Sequence, residues 1–520
     1  VTAPAPGASL PAENLADGDW HRLHPATPLL RGGLAFIAIL GIVIANLREK
    51  LLEIFIPGGP DYGGDPVDEI VDRGLIPIAL IVIAVGLALF IGGFYLSWRM
   101  HTFRITNEQV EVRSGILFRT NRKGRLDRIQ GINIVRPFFA RLFGAARLEI
   151  TVAGGDGNVQ LAYLSGVRAD ELRRDILLLA SGRQQEKAAA GGSAPLAGTA
   201  AGGGPAPSLV EQRVNELIAP ELTPGLAEPA SIVTMHPARL IGSTVLSTNT
   251  AIFAVLFAGG IVAAAITGEF YFLFGAVPIL FGLGSYLVNR IVKSLRYTIA
   301  GTPDGVRVGY GLLSTSNETL PPGRIHSISI SQELLWRPAD WWEVKVNRAG
   351  KSSAQGAAGQ QNTTILPVGT RADVFKVLEL VLPGLVDNGT RAIIEAGLAK
   401  ASAGDGFTNS PRRAAILRWF SWRRNGFALT PDAAVIRRGA IWRELVVVPA
   451  ARMQSVSVSQ GPIYRALRLG RVNAHTVAGP ISARLGALDV GDAGGFFRDL
   501  SELAVAAAAA DRSHRWRSGA

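Results

Sequence analysis

Cysteine is absent from the 520 residues, which removes disulfides, thiolate zinc sites, iron–sulfur clusters and cysteine nucleophiles together. Histidine is scarce. His21, His24, His101, His236, His326, His475 and His514 are scattered, with no H-x-x-x-H or carboxylate spacing that would set a metal on one helix face. No G-x-x-x-x-G-K-[ST] loop is present to cradle a nucleotide phosphate, and no G-x-S-x-G elbow to present a serine. The sequence therefore points to no catalytic residue, no metal and no cofactor, and the expectation is a protein that is not an enzyme.

What the chain does contain is apolar and basic. Hydrophobic residues make up 48% and the formal charge is +12, with a mean hydropathy of +0.25 and a pI near 10.2. Such a balance favours an anionic partner, nucleic acid or an acidic lipid surface. The basic residues flank apolar runs and stud hairpin-like stretches such as "FRTNRKGRLDR", without the aromatic platform on which single strands stack. Anionic lipid is the expected partner and nucleic acid is not.

Four apolar runs predict four membrane spans in two hairpins: Leu29 to Leu47, Leu75 to Trp98, Leu240 to Ile266 and Phe270 to Val288. Between the first two, Arg48 to Arg73 holds three basic residues against seven acidic ones, whereas arginines crowd the stretch after the second run and Arg290, Lys293 and Arg296 follow the fourth. Basic flanks stay on the cytoplasmic side. The expectation is a multi-pass protein of the cell membrane with both termini cytoplasmic.

One phrase occurs three times: "RIQGINI" from Arg128, "RIHSISI" from Arg324 and "RMQSVSV" from Arg452. A threonine stands 22 residues before each arginine, at Thr106, Thr302 and Thr430, and a glycine nine residues after each threonine, at Gly115, Gly311 and Gly439. Matching offsets in three places mark an internal repeat. Each copy reads as about seven short strands closed by a helical pattern, as in "VRADELRRDILLLA", "TRADVFKVLELVL" and "GGFFRDLSELAVAAAA". Within the phrase the apolar positions change parity, so a bulge or turn is expected after the arginine. The three arginines either order a strand end through a carbonyl or carboxylate, or contact a partner or another copy.

Apolar hairpins followed by this repeated unit resemble the bacterial PH-like domain family of membrane-flanked proteins, in its YdbT type. The resemblance implies α-helical transmembrane hairpins plus α+β domains: three PH-like domains, each a small antiparallel β-barrel capped by a C-terminal helix. On that reading residues 1–28 are a cytoplasmic segment, 29–98 and 236–290 the two hairpins, and 99–183, 291–385 and 427–512 the three domains. Residues 184–235 are a flexible linker, and 386–426 a linker with an interfacial segment. It further implies a non-enzymatic scaffold for protein or lipid contact, with a role in envelope stress or antimicrobial-peptide resistance; the alternative is lipid transport or regulation of a membrane enzyme. A homo-oligomer, or pairing with a smaller PH-like membrane protein, is expected on the same ground.

No hairpin precedes the third copy. In its place stands "PRRAAILRWFSWRRNGF", Pro411 to Phe427, and from Pro411 to His475 there are twelve arginines, no lysine and two acids. Its apolar run is too short to span a bilayer. Arg412, Arg413, Arg418, Trp419, Phe420, Trp422, Arg423 and Arg424 are therefore expected at a membrane interface, where indole rings suit the headgroup layer; the opposing reading buries the tryptophans against another domain.

Overall fold

The computed structural model describes residues 15, 17–24, 27, 30, 76–115, 119–152, 158–180, 233–268, 271–302, 305–312, 314–320, 323–348, 363–402 and 404–510. The first predicted span apart from residue 30, the acidic loop after it, the linker at 184–232 and His514 lie outside them.

Three times the chain repeats a two-residue strand, three strands, three more strands and a closing helix. The first copy comprises β1 (His21–Arg22), the helix α1 (Ile76–Arg99), β2 (Thr102–Ile105), β3 (Gln109–Ser114), β4 (Thr120–Arg125), β5 (Ile129–Arg136), α2 (Phe138–Leu142), β6 (Ala145–Val152), β7 (Val159–Ser165) and α3 (Gly166–Ala180). The second begins with β8 (Val233–Thr234) and three helices, α4 (Pro237–Val245), α5 (Thr248–Thr267) and α6 (Tyr271–Ser294). It continues through β9 (Thr298–Thr302), β10 (Gly305–Tyr310), β11 (Thr315–Leu320), β12 (Ile325–Gln332), β13 (Trp342–Arg348), β14 (Thr364–Gly369) and α7 (Arg371–Val381). After α8 (Asn388–Leu398) the third copy runs β15 (Thr408–Asn409), α9 (Ala415–Arg418), β16 (Gly426–Leu429), β17 (Ala433–Arg438), β18 (Arg443–Pro449), β19 (Ser455–Ser459), α10 (Pro462–Ala466), β20 (Leu469–His475), β21 (Ala483–Asp489) and α11 (Val490–Ala510).

The repeated anchors have physical roles. Each threonine closes the first turn: Thr106 Oγ1 accepts from Gln109 N at 3.2 Å, Thr302 Oγ1 donates to Gly305 O at 2.7 Å, and Thr430 Oγ1 accepts from Ala433 N at 3.1 Å. Each glycine turns the next hairpin with a left-handed backbone, φ 107° at Gly115, 106° at Gly311 and 78° at Gly439. A Cβ at Gly439 would also collide with the Trp442 carbonyl oxygen. Gly439→Ala is therefore expected to cost at least about 1–2 kcal/mol in urea unfolding, where an ordinary surface change would not register. The parity change after Arg324 is a register shift between Ile325 and Ser327 where β12 pairs with β13.

Among the described residues the expected closed barrels are not formed. β1 to β4 make a four-stranded sheet in order, while the second triplet of each of the first two copies turns to the copy that follows. β5 lies beside β11, with β10, β9 and β8 beyond it. Likewise β14, β13 and β12 continue into β18, β17, β16 and β15 as one seven-stranded sheet, in which Ile328 faces Val447 and Gln332 faces Arg443. The last triplet, β19 to β21, stands as a three-stranded sheet. A barrel needs its two halves to bond to each other; here their edges are given to neighbouring copies.

The chain divides into two compact units. The first comprises the described parts of Val1–Leu126, Arg136–Glu149 and Val159–Ile176. In it Trp98 Nε1 donates to Leu23 O at 3.0 Å, and Phe103, Ile105, Leu161 and Leu172 are buried. The second comprises Asp127–Val135, Ile150–Asn158 and the described parts of Leu177–Ala520. One of its cores joins Ile328, Ile330, Trp342 and Val344 to Phe375 and Leu378 of α7, Ile394 and Leu398 of α8, and Leu445 and Val447 of β18. Another joins Phe427, Ile436 and Val446 to Val472, Leu485, Phe496 and Leu500. A Thr370–Asp373 capping box starts α7, which accounts for the Arg-Ala-Asp of that copy.

The four-span, multi-pass reading is likewise corrected, and with it the assignment of both termini to the cytoplasm. Among the described residues, α5 alone is long and apolar enough to cross a membrane. The run from Leu240 is broken at Leu246 and Ser247, because its residues up to Val245 belong to the amphipathic α4, whose Ser243 carbonyl accepts from Trp336 Nε1 at 3.0 Å. α6 contains Pro278, and among the residues whose side chains are described its apolar stretch is Val277–Val292. α1 is a 24-residue helix, and the side chains along much of it are outside the description.

Candidate lipid-contact site

In the second unit Pro411 to Arg424 fold as two short 3₁₀ turns flanking α9. So short a helix has one face against the domain and the rest in solvent. Ala414 is fully buried beside Leu469 and Ala487, and Trp422 packs on them with Tyr464 and Leu467. This anchor leaves the next large side chains outside: Ile416 is 73% exposed, Trp419 71% and Phe420 58%. The Trp419 and Phe420 rings lie against each other with centroids 3.7 Å apart and planes tilted by 37°, and with Leu417, Arg418, Ser421 and Tyr464 they line an open cleft of about 560 Å³.

The five arginines of the segment divide by role. Arg412 and Arg423 are exposed and Arg418 half-exposed, and Arg423 lies over the Trp422 ring at 5.3 Å. Arg413 is tied to the domain: its Nε donates to Leu467 O at 2.9 Å, its Nη2 to Arg468 O at 3.2 Å, and it pairs with Asp489. Arg424 is buried and donates to Ala399 O at 2.6 Å and Gly397 O at 2.7 Å. It thus caps the C-terminus of α8, where carbonyls lack helical partners. Burial, then the nearby guanidinium of Arg437, lowers its pKa to about 9, so it stays charged at neutral pH.

Two features escaped the sequence reading. Tyr464 joins the cleft from α10, forty residues on, and no local pattern signals that approach. The other is at the foot of α5, where Thr248 is held from two copies: Glu333 Oε2 accepts from its Oγ1 at 2.9 Å and also from its N–H, and Trp442 Nε1 donates to its Oγ1 at 2.9 Å. Around this point Trp442, Leu334 and Leu335 are exposed. A carboxylate at a helix N-terminus meets the positive end of its dipole. Trp442 sits in the turn set by Gly439, which is the signal that could have found it.

The three repeated arginines are not gathered into one pocket. Arg128 is exposed. Arg324 Nη2 donates to Asp127 O at 3.2 Å, from the second copy to the residue before the first copy's arginine. Burial, and then the charge of Arg452, lower the Arg324 pKa, and burial lowers that of His326, which also faces Arg452 and Arg324. Arg324 thus reaches back to the first copy, and Arg452 of the third lies close enough for its charge to act on Arg324 and His326 of the second. Among the described residues no group of three His, Asp and Glu is placed to hold a metal.

The description "Bacterial PH domain" fits this chain three times, with residues 52–180, 244–385 and 390–504 matching the family model. The matched segments follow the three copies seen in the strand pattern. No curated protein matches the chain. Membership in a family of binding domains agrees with a chain that is not an enzyme. With three matches that cover well over half of its length, the chain belongs to the bacterial PH domain family.

Proposed function

We propose that this chain is a membrane-associated, non-enzymatic scaffold whose PH-like copies hold protein partners and whose third copy docks on anionic lipid. The observation that carries the reading is the exposed, closely packed Trp419–Phe420 pair, on the same short segment as the exposed Ile416, Arg412 and Arg423 and the half-exposed Arg418. Each arginine near an anionic leaflet contributes about 1 kcal/mol, and each large side chain removed from water about 1.5–3 kcal/mol. The exposed apolar α5, anchored at Thr248 by both later copies, supports the same environment. The YdbT-type assignment rests on the three tandem copies, and envelope stress or antimicrobial-peptide resistance is the process it implies.

The absence of cysteine gives a direct test. The full chain carrying Ile416→Cys, in lipid nanodiscs, is expected to react with a water-soluble maleimide several-fold more slowly on anionic than on neutral lipid, and salt should erase the difference. Trp419→Ala with Phe420→Ala should abolish the protection. Equal rates on both lipids would overturn the docking.

A further inference from the structure

The copies are joined by one rule. The phrase strand of each of the first two copies pairs along its outer edge with the fourth strand of the copy that follows: β5 with β11, and β12 with β18. The rule leaves one strand of each kind over. β19, the phrase strand of the third copy, pairs with β20 and ends its three-stranded sheet, with no strand on its other edge among the described residues. Its residues are mostly exposed, Val458 to 50%, whereas most of β12 is buried. At the other end, β4 is the fourth strand of the first copy; it pairs with β3, ends its sheet among the described residues, and is exposed except at Gly124.

We propose that β19 of one molecule pairs with β4 of a second copy of this chain, head to tail. An edge strand offers a row of unmet N–H and C=O groups, and strand addition is the general way to satisfy them. The repeat itself supplies the register. In the β12–β18 pair, Ile328 lies four residues after Arg324 and faces Val447, five before Arg452. The same offsets from Arg452 and Arg128 set Val456 opposite Lys123, Ser457 opposite Arg122, Val458 opposite Asn121 and Ser459 opposite Thr120.

A side-chain couple at the end of the ladder fits this register. Gln332, eight residues after Arg324, accepts through its Oε1 from Arg443 Nη1 at 3.3 Å, and Arg443 lies nine before Arg452. Gln460 is eight after Arg452 and Arg119 nine before Arg128. The Gln460 amide nitrogen donates to Leu469 O at 2.9 Å, which turns its oxygen to the role that Gln332 plays. The charges of Arg122, Lys123 and Arg125 on β4 discourage indiscriminate edge pairing, while the small serines of β19 leave them room.

Such an interface is heterologous: the two surfaces differ, so copies add in one direction. Full-length chains carrying Val458→Cys and Asn121→Cys, with different tags, are mixed in detergent and mildly oxidised; Ser457→Cys with Arg122→Cys is a second pair, because neighbouring antiparallel pairs alternate between close and wide spacing. At least one matched pair is expected to give a mixed disulfide dimer, with about tenfold less from Val456→Cys with Asn121→Cys, two residues out of register. Both matched pairs failing would overturn the proposal. So would matched and mismatched pairs reacting equally, or Val458→Cys linking only to itself, which would mean symmetric β19 to β19 contact.

Discussion

Arg437→Ala is expected to lower the unfolding free energy of the second unit by about 3–5 kcal/mol, the cost of leaving a buried carboxylate without its partner. Arg437 is fully buried. Its Nη1 donates to Asp405 Oδ2 at 2.7 Å, its Nη2 to Asn409 Oδ1 at 2.9 Å, and its guanidinium lies 4.2 Å from the Phe407 ring centroid. The pair ties β17 to the loop after α8, so its loss should free α8 from the sheet. Urea unfolding of the full chain gives the magnitude. Replacing both partners, Asp405→Ala with Arg437→Met, should recover much of the loss, since no buried charge then remains alone.

The pH dependence has a definite sign. Burial raises the Asp405 carboxyl, but the Arg437 bond and the N–H groups of Ser402 and Phe407 outweigh it and hold the pKa below the ordinary 3.8. A carboxyl depressed in the folded state contributes stability above its unfolded pKa and loses it as pH falls through the folded one. The wild-type advantage over Arg437→Ala should thus be full at neutral pH and shrink below 3.8. An advantage unchanged at pH 3 would show that the effect comes from packing on Phe407 rather than from charge.

Much of the fold was legible because it is local. The Thr and Gly anchors sit in turns whose backbone demands them, so their spacing gave both the repeat and the strand count, and the parity change in the phrase gave the bulge near Arg324. The partner of a strand is not local. Nothing in "INIV" or "ISIS" says whether its outer edge bonds within its own copy or to the next, and so the barrels were expected and the shared sheets were not. Hydropathy failed for a similar reason. Leu240 to Val245 is as apolar as a span requires, yet it covers a domain surface through Ser243 and Trp336.

The candidate site shows the same division. Composition alone found the cluster from Arg412 to Arg424, and five arginines there looked equivalent. Their roles are set by which carbonyls come within reach: Arg424 meets the end of α8 and Arg413 the turn after α10, while Arg412 and Arg423 face solvent. Trp422 and Trp419 divide likewise, one packed on Ala414 and Leu469 and the other 71% exposed.

Arg348→Met is the second change expected to have a large effect, again about 3–5 kcal/mol. Arg348 and Glu318 are both buried, and two parallel bonds of 2.8 and 3.3 Å join them. Glu318 belongs to β11, the strand that the first copy's β5 pairs with, and Ser316 on the same strand donates to Asn133 Oδ1 at 2.7 Å. The fork of guanidinium and carboxylate fixes β11 against β13 beneath that junction. Without Arg348, Glu318 must take up a proton or draw in water, and β11 should loosen first at its contact with β5. Limited proteolysis of the full chain is then expected to cut near Thr315 to Leu320 under conditions that leave the wild type intact. Glu318→Gln, which turns one of the two acceptors into a donor and leaves the buried guanidinium without a counter-charge, should cost about as much, whereas Arg348→Met with Glu318→Leu should recover much of the loss because no buried charge then remains alone. If the double replacement instead costs as much as Arg348→Met alone, the loss comes from the bonds that hold the two strands in place rather than from a stranded charge.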